Sequence, residues 1–254
     1  MSARRVQIRL LLLLALATAL PPGDAPRAQS LVADLSQHLI AITTAFVGTQ
    51  VVLFGVADRT GDVAVTVQGP REDLVVRRKS RVAGIWVNRD RLAFRRVPAY
   101  YAVASTGPLE KIARPDVLAQ LEIGTGGLDL EPIDATGYEI SEIASFKDAL
   151  VRRKQEQRLY SREPAPINFI GESLFRTTLI FPANVPPGIY QVQVFELKDG
   201  FAADAQRSTL VVSKVGLEAD IYDFAQQRGS LYGLTAIALA VVSGWLAGVI
   251  FRRG

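Results

Sequence analysis

Few side chains in this sequence are of the types that carry out catalysis or hold metals. Its 254 residues include no cysteine and one histidine, His38. Thiolate metal sites and cysteine nucleophiles are therefore excluded, and a histidine-rich metal site is not expected. The sequence contains no HExxH, GxSxG or GKS/GKT motif. His38, which opens the apolar run HLIAIT, is expected to have a surface or capping role.

Gly124–Gly127 and the acids that follow have the residue types of a phosphate or cation site. The glycines lack a third spaced glycine and the strand-before, helix-after setting of a phosphate cradle, so an ordinary loop is predicted. Asp129, Glu131 and Asp134 lie close together, but their spacing is not that of the EF-hand calcium loop, and Pro132 constrains them. We therefore predict no catalytic residue, no metal and no cofactor. An enzyme that uses these carboxylates together with arginines is the alternative.

Charge is distributed unevenly along the chain. Nine basic residues and three acids lie between Arg71 and Arg96, whereas eight acids and one base lie between Asp116 and Asp148. Either these stretches neutralise each other across one surface, with arginines lining the solvent faces of their strands, or the basic stretch binds an anionic partner surface. That partner surface is lipid headgroups or a charged protein face. The candidate residues are the bases of this stretch and its tryptophan: Arg77, Arg78, Lys79, Arg81, Trp86, Arg89 and Arg91.

Trp86 itself is more typical of a sandwich core than of a platform on which bases of a nucleic acid stack. Nucleic acid is not expected as a partner, because the two ends of the chain place the body outside the cytoplasm. Without those ends the body is close to neutral, so the basic balance of the whole chain is no argument for nucleic acid.

Residues 1–28 are predicted to be a secretory signal peptide. Arginines at positions 4, 5 and 9 precede an uncharged run, Leu10–Leu20. That run is too short to cross a bilayer core of about 30 Å. Cleavage is expected after Ala25 or Ala28, and an uncleaved anchor is the alternative.

Residues 231–251 are predicted to form a transmembrane helix, since no charged residue occurs between Arg228 and Arg252 and such a helix matches a hydrocarbon core of about 30 Å. Arg252 and Arg253 predict a cytoplasmic tail over 252–254. We therefore expect a single-pass protein of the inner membrane with its ectodomain in the periplasm. Small residues at every fourth position predict a packing face for a second helix: Ala236, Ala240, Gly244 and Gly248.

The body between these ends shows the period-two pattern of β-strands. In DVAVTVQGP, valines at 63, 65 and 67 alternate with Ala64, Thr66 and Gln68, which predicts a strand with one buried face. Runs such as TQVVLFGV, GIWVN, RLAFRRV, FRTTLIFP and GIYQVQVFEL are similar. We predict a mainly β chain with an immunoglobulin-like antiparallel sandwich formed by residues 29–105 and 161–215. Two small β domains are the alternative.

Residues 106–160 are predicted to be a helical insertion in this sandwich. LEKIARPDVLAQL indicates a short helix interrupted by Pro115. In SEIASFKDALVRRKQEQRLY, Ile143, Phe146 and Leu150 have helical spacing, with Ser141 as the expected N-cap. Residues 216–230 are expected to form a juxtamembrane helix or linker.

The order of several segments gives a resemblance to a known family. SLVADLSQHLIAIT, TQVVLFGVADRTGDVAVTVQGP, RRKSRVAGIWVN, VPAYYAVAS, PANVPPGIYQV and a final KVG before a Trp- and Gly-containing segment resemble an alphaproteobacterial family of predicted transmembrane proteins of about this length. The stretch from Arg78 to Asn88 is the most specific part. The family brings no activity and no catalytic residues. Its association with sulfite-exporter-like permeases implies an accessory periplasmic role.

From the sequence we therefore expect a binding or accessory module, not an enzyme, that acts through protein–protein contacts. The expected partners are the membrane and an integral membrane protein such as that permease, or a second copy bound through the C-terminal helix. A passive structural protein of the envelope is the third hypothesis.

Overall fold

The computed structural model describes residues 31–82, 84–216 and 229–251. The predicted signal peptide, most of the predicted juxtamembrane segment and the predicted tail lie outside the described residues.

The elements follow the chain in a β-rich order. The helices are α1 (Leu109–Ile112), α2 (Pro115–Gln120), α3 (Ile140–Glu156) and α4 (Gly229–Phe251), with a 3₁₀ turn at Thr125–Gly127. The strands are β1 (Val32–Leu35), β2 (Leu39–Ile42), β3 (Gly48–Val56), β4 (Asp62–Gln68), β5 (Arg71–Val82), β6 (Ile85–Pro98), β7 (Tyr101–Ser105), β8 (Glu131–Pro132), β9 (Ala165–Pro166), β10 (Asn168–Ile170), β11 (Leu174–Pro182), β12 (Gly188–Lys198) and β13 (Phe201–Lys214).

The strands form three sheets. The first has the order β1-β3-β11-β10, the second the order β2-β13-β12-β4-β7-β9, and the third the order β5-β6-β8. Late strands pair with early ones, since β11 is antiparallel to β3 and β12 is antiparallel to β4. Two short pairs, β13 with β2 and β7 with β9, are parallel. They depart from the antiparallel arrangement predicted for the whole body.

The main core contains the inward faces of the first two sheets. In β11, every second residue from Phe175 to Phe181 is buried and the residues between are exposed, so the sequence pattern and the burial agree. Val65 and Val67 of β4 and Val192 of β12 belong to the same cluster of buried side chains.

β4 is buried on both faces, which makes the prediction of one buried face wrong. Ala64 and Thr66 are as inaccessible as the valines. The strand lies between β12 and β7, and the segment after α2 covers its second face. On that face Gln68 Nε2 donates to Glu122 Oε2 at 2.7 Å, and the neighbouring Tyr101 Oη donates to the Glu122 carbonyl at 2.6 Å.

The predicted helices are present in the insertion. Pro115 separates α1 from α2 and begins α2, where its missing N–H costs no hydrogen bond. Phe146 and Leu150 of α3 are buried, as predicted. The helix begins earlier than expected, because Glu139 and not Ser141 is the N-cap. The Glu139 N–H donates to Glu142 Oε2 at 3.4 Å, one half of a capping box.

The predicted transmembrane helix is wrong on this structure. α4 covers residues 229–251, but no helix in the described residues is long and apolar enough to cross a membrane.

Three buried tyrosines tie the core to backbone carbonyls. Tyr100 Oη donates to the Ile180 carbonyl at 2.7 Å, Tyr101 Oη to that of Glu122, and Tyr160 Oη to that of Pro98 at 2.7 Å. Burial is the largest cause that raises the pKa of each phenol above the ordinary value of 10.0. The folded state therefore holds all three protons more tightly than the unfolded chain does.

We expect the free energy of unfolding to fall as the pH rises above 10. Below the unfolded-state pKa both states keep the protons and the full stability is present, whereas above it only the unfolded chain releases them. The slope is about 1.4 kcal/mol per pH unit for each tyrosine. Urea unfolding followed by circular dichroism between about pH 8 and pH 12 measures it.

Tyr160→Phe is the control for this pH dependence. It keeps the ring and removes one titrating group, so the slope above pH 10 is expected to become shallower by one tyrosine's share. A wild-type stability that stays constant over this range contradicts the prediction.

Candidate binding surface

β5 and β6 form a long hairpin. Val82 pairs with Ile85 at its tip and Arg71 pairs with Pro98 at its base. Twelve residues of β5 at about 3.3 Å per residue give a ribbon of about 40 Å. The sequence pattern predicts two short strands in place of β6 and none in place of β5. Charged residues occupy both faces of the outer hairpin and hide the period-two pattern.

One face of the hairpin contacts α3. Arg78 Nη2 lies 2.9 Å from Asp90 Oδ2 and 3.1 Å from Glu142 Oε1, and its guanidinium carbon lies 5.2 Å from the centre of the Phe146 ring. Hydrogen bonds to Asp90 and then to Glu142 raise the pKa of Arg78. This predicted surface residue is therefore already paired within the chain, with an acid of the acidic stretch.

The opposite face carries positive charge that no acid of the described residues neutralises. We define the basic face as Arg77, Lys79, Arg81 and Arg91, which are all exposed. Residues 77, 79 and 81 alternate with Arg78 along β5, and so lie on the other side of the ribbon. Within the described residues, none of the four forms an ion pair with an acid.

Arg77 and Arg91 are direct cross-strand partners on the basic face. Side chains in this relation have Cβ atoms about 5 Å apart, and like charges there are destabilising. An anionic group bound between them removes that repulsion. The pairing therefore favours binding of an anion over a purely solvated surface.

The two remaining predicted residues lie close to the tip. Trp86 pairs with Arg81 along the backbone, and Arg89 is the extra residue where the register shifts between Arg78 and Lys79. The side chains of Trp86 and Arg89 are outside the described part. The backbone of Trp86 pairs within the hairpin, and the expectation of a sandwich-core tryptophan stays a prediction.

The base of the hairpin is held by the insertion. Lys154 of α3 is buried, and its Nζ lies 2.9 Å from Glu72 Oε1 and 3.5 Å from the Ala99 carbonyl. Arg71 Nη2 lies 2.7 Å from Glu122 Oε2. Mutual neutralisation of the two charged stretches thus occurs at the base and on the α3-facing side, while the basic face is left open.

The acids considered for catalysis are not gathered into a site. Asp129, Glu131 and Asp134 are all exposed, and no group of three acids or histidines in the described residues could hold a metal ion. Asp134 accepts a hydrogen bond from the Thr136 N–H at 3.1 Å, and this backbone donor lowers the pKa of Asp134. His38 is at the surface, with Nε2 3.0 Å from Asp34 Oδ1.

The most buried charge outside the insertion is Glu196 of β12, which is fully inaccessible. Lys198 Nζ lies 3.0 Å from Glu196 Oε1 and 3.0 Å from Asp58 Oδ2. The Thr60 N–H, as the largest cause, and Lys198 lower the pKa of Asp58 to about 2. These groups neutralise one another, which is typical of a structural charge cluster.

The glycine-rich loop lines a groove of about 820 Å³ beside α1 and α2. Gly124 adopts a φ of +86° there, and Gly127 lies so close to the Leu118 carbonyl that a Cβ would be 2.7 Å from its oxygen. Ser105 Oγ, on the groove wall, donates to the Gly107 carbonyl at 2.6 Å. Gly127 thus serves close backbone packing and Gly124 a positive φ.

The small residues of α4 share one exposed face. Ala236, Ala240, Gly244 and Gly248 lie four residues apart and are all exposed. A Cβ added at Gly244 or Gly248 would meet no atom within 4 Å. In the described part of the chain nothing packs on this face.

Comparison with known proteins identifies one matching protein family. A protein-family model, Alph_Pro_TM, described as "Putative transmembrane protein (Alph_Pro_TM)", matches residues 30–253. No curated protein matches the sequence.

Proposed function

Since the chain belongs to the Alph_Pro_TM family, we propose that it is a membrane-associated binding module that acts as an accessory to an integral membrane protein. The observation that carries this proposal is the basic face: four exposed bases on one side of a projecting hairpin, which no acid of the described chain neutralises. Such a surface binds partners of opposite charge.

The second support comes from α4. Its apolar side chains are exposed on all sides, with Leu234, Ile237 and Leu239 about two-thirds accessible. A helix of this kind is stable where lipid or other helices remove these side chains from water. The small-residue face at Ala236, Ala240, Gly244 and Gly248 gives the backbone of a second helix close access.

The signal-peptide pattern of residues 1–28 supports a periplasmic location for the β domain. A periplasmic module beside a membrane protein contacts that protein and the lipid around it. The first partner to test is a sulfite-exporter-like permease, on the resemblance given above. The hairpin then binds an anionic surface at the membrane, and catalysis has no part in this function.

Crosslinking in intact cells tests the proposal. The full chain carries a C-terminal tag, and the proteins recovered with it in mild detergent are identified by mass spectrometry. We compare wild type with a variant in which the basic face is reversed, Arg77→Glu, Lys79→Glu, Arg81→Glu and Arg91→Glu. Four reversals at roughly 0.5–1 kcal/mol each lower the affinity about thirtyfold or more. A polytopic membrane protein is expected with wild type and not with this variant.

A matched control reverses four exposed bases elsewhere, Lys111, Arg162, Arg207 and Lys214. It changes the net charge by the same amount and is expected to leave recovery of the partner intact. Equal loss in both variants indicates a general charge effect, and recovery of the chain alone from wild-type cells indicates a homo-oligomer. Either result overturns the accessory role.

A further inference from the structure

The tip of the hairpin is apolar where the tip of a solvated hairpin is normally polar. Val82, Ile85, Trp86 and Val87 are apolar residues next to Gly84 in the sequence of this turn. Ile85 is 68% exposed. Gly84 is exposed as well, and a Cβ added there would meet no atom within 4 Å.

The basic face begins directly behind this apolar tip. Arg81 and Lys79 pair with Trp86 and Asn88, one and three residues from the Val82–Ile85 pair. Arg77 and Arg91, which are cross-strand partners, lie at the end of the basic face that is farther from the tip. This order along the hairpin matches a membrane interface. Apolar residues at the tip reach the acyl chains, and the bases behind them reach the anionic headgroups.

We propose that the hairpin docks end-on into an anionic lipid surface, with the tip at the headgroup–acyl boundary and the basic face on the lipid phosphates. This inference rests on the proposed function and names the anionic surface that the hairpin binds. A phosphate between Arg77 and Arg91 neutralises the like-charge pair. The alkyl stems of lysine and arginine lie along the apolar layer while their charged ends stay with the headgroups.

The geometry favours lipid over an acidic protein face. An apolar turn that is exposed at Gly84 and Ile85 inserts into a soft lipid layer without a preformed site, whereas a protein partner needs a surface of complementary shape. Tryptophan is enriched at the membrane interface, and Trp86 is the backbone partner of Arg81, the residue of the basic face nearest the tip.

The experiment uses the full chain with Trp245→Phe. The sequence has two tryptophans, so Trp86 becomes the single fluorophore. The protein is reconstituted into vesicles of phosphatidylcholine alone or of equal parts phosphatidylcholine and phosphatidylglycerol, each with and without brominated phosphatidylcholine. Co-flotation with vesicles is not the readout, because α4 exposes enough apolar surface to hold the chain on lipid by itself.

In vesicles with phosphatidylglycerol, we expect the emission of Trp86 to shift to the blue and to be quenched by brominated lipid. The Glu variant of the basic face is expected to show neither effect, since each base near an anionic surface contributes about fivefold and four together contribute about six hundredfold. The Lys111, Arg162, Arg207 and Lys214 reversal serves as control and is expected to behave as wild type. Salt of about 1 M, with a Debye length of about 3 Å, is expected to weaken the docking.

Two results overturn lipid docking. Emission that is the same in both vesicle types, without quenching, shows that the tip stays in water, and equal quenching in phosphatidylcholine alone shows that anionic lipid is not recognised. The crosslinking result then separates the two proposals. If capture of the membrane protein still depends on the basic face, the anionic surface belongs to that protein and the proposed function stands.

Discussion

Replacing Phe181 with alanine is expected to lower the free energy of unfolding by about 3–5 kcal/mol. Phe181 is the last residue but one of β11 in the first sheet. Its ring centre lies 5.2 Å from that of Tyr100, which directly precedes β7, and 5.9 Å from that of Tyr190 of β12 in the second sheet. All three rings are almost completely buried. The alanine variant therefore loses the buried ring, leaves a cavity and removes the aromatic contacts that join the two sheets.

Ile180→Ala is the matched control, one residue away on the same strand. Ile180 is 64% exposed, so its truncation is expected to cost less than about 0.5 kcal/mol. Urea unfolding of the full chain in mild detergent, followed by circular dichroism, gives both values. A Phe181→Ala variant that loses less than about 1 kcal/mol would show that the rings do not join the sheets.

The sequence predicts the core strands well because burial alternates in them. β11 and β3 have one face in the core and one in water, and this polarity difference is what a period-two pattern records. β4 breaks the rule through its position. Thr66 is buried, and Gln68, two residues along the same face, donates to Glu122, more than fifty residues later in the chain. No local pattern contains that information.

The hairpin escapes prediction for the opposite reason. Its outer half has water on both faces, so charged and apolar residues follow one another without a period. The residues of the candidate surface can nevertheless be predicted from the sequence, since its bases form a cluster there. Which of these bases are paired within the chain and which are open cannot be predicted in this way. The register shift between Arg78 and Lys79 and the contact of Arg78 with Glu142 determine it.

Removal of the Glu72 carboxylate is expected to be the most damaging single change of a charge at the hairpin base. Lys154 Nζ has two described acceptors, Glu72 Oε1 at 2.9 Å and the Ala99 carbonyl at 3.5 Å, and the lysine side chain is 9% exposed. Glu72→Ala leaves a buried ammonium without its counterion. A fully buried pair broken in this way costs about 3–5 kcal/mol, and because Glu72 is half exposed we expect about 2–3 kcal/mol.

A double-mutant cycle separates a stranded charge from lost packing. Lys154→Met removes the ammonium, keeps an unbranched apolar side chain and leaves Glu72 in contact with water, so it is expected to cost less than about 1 kcal/mol. Adding Lys154→Met to Glu72→Ala is then expected to restore most of the lost stability. If the two losses simply add, the pair does not hold β5 to α3. The orientation of the basic face would then depend on the remaining contacts, those of Arg71 with Glu122 and of Arg78 with Glu142 and Phe146.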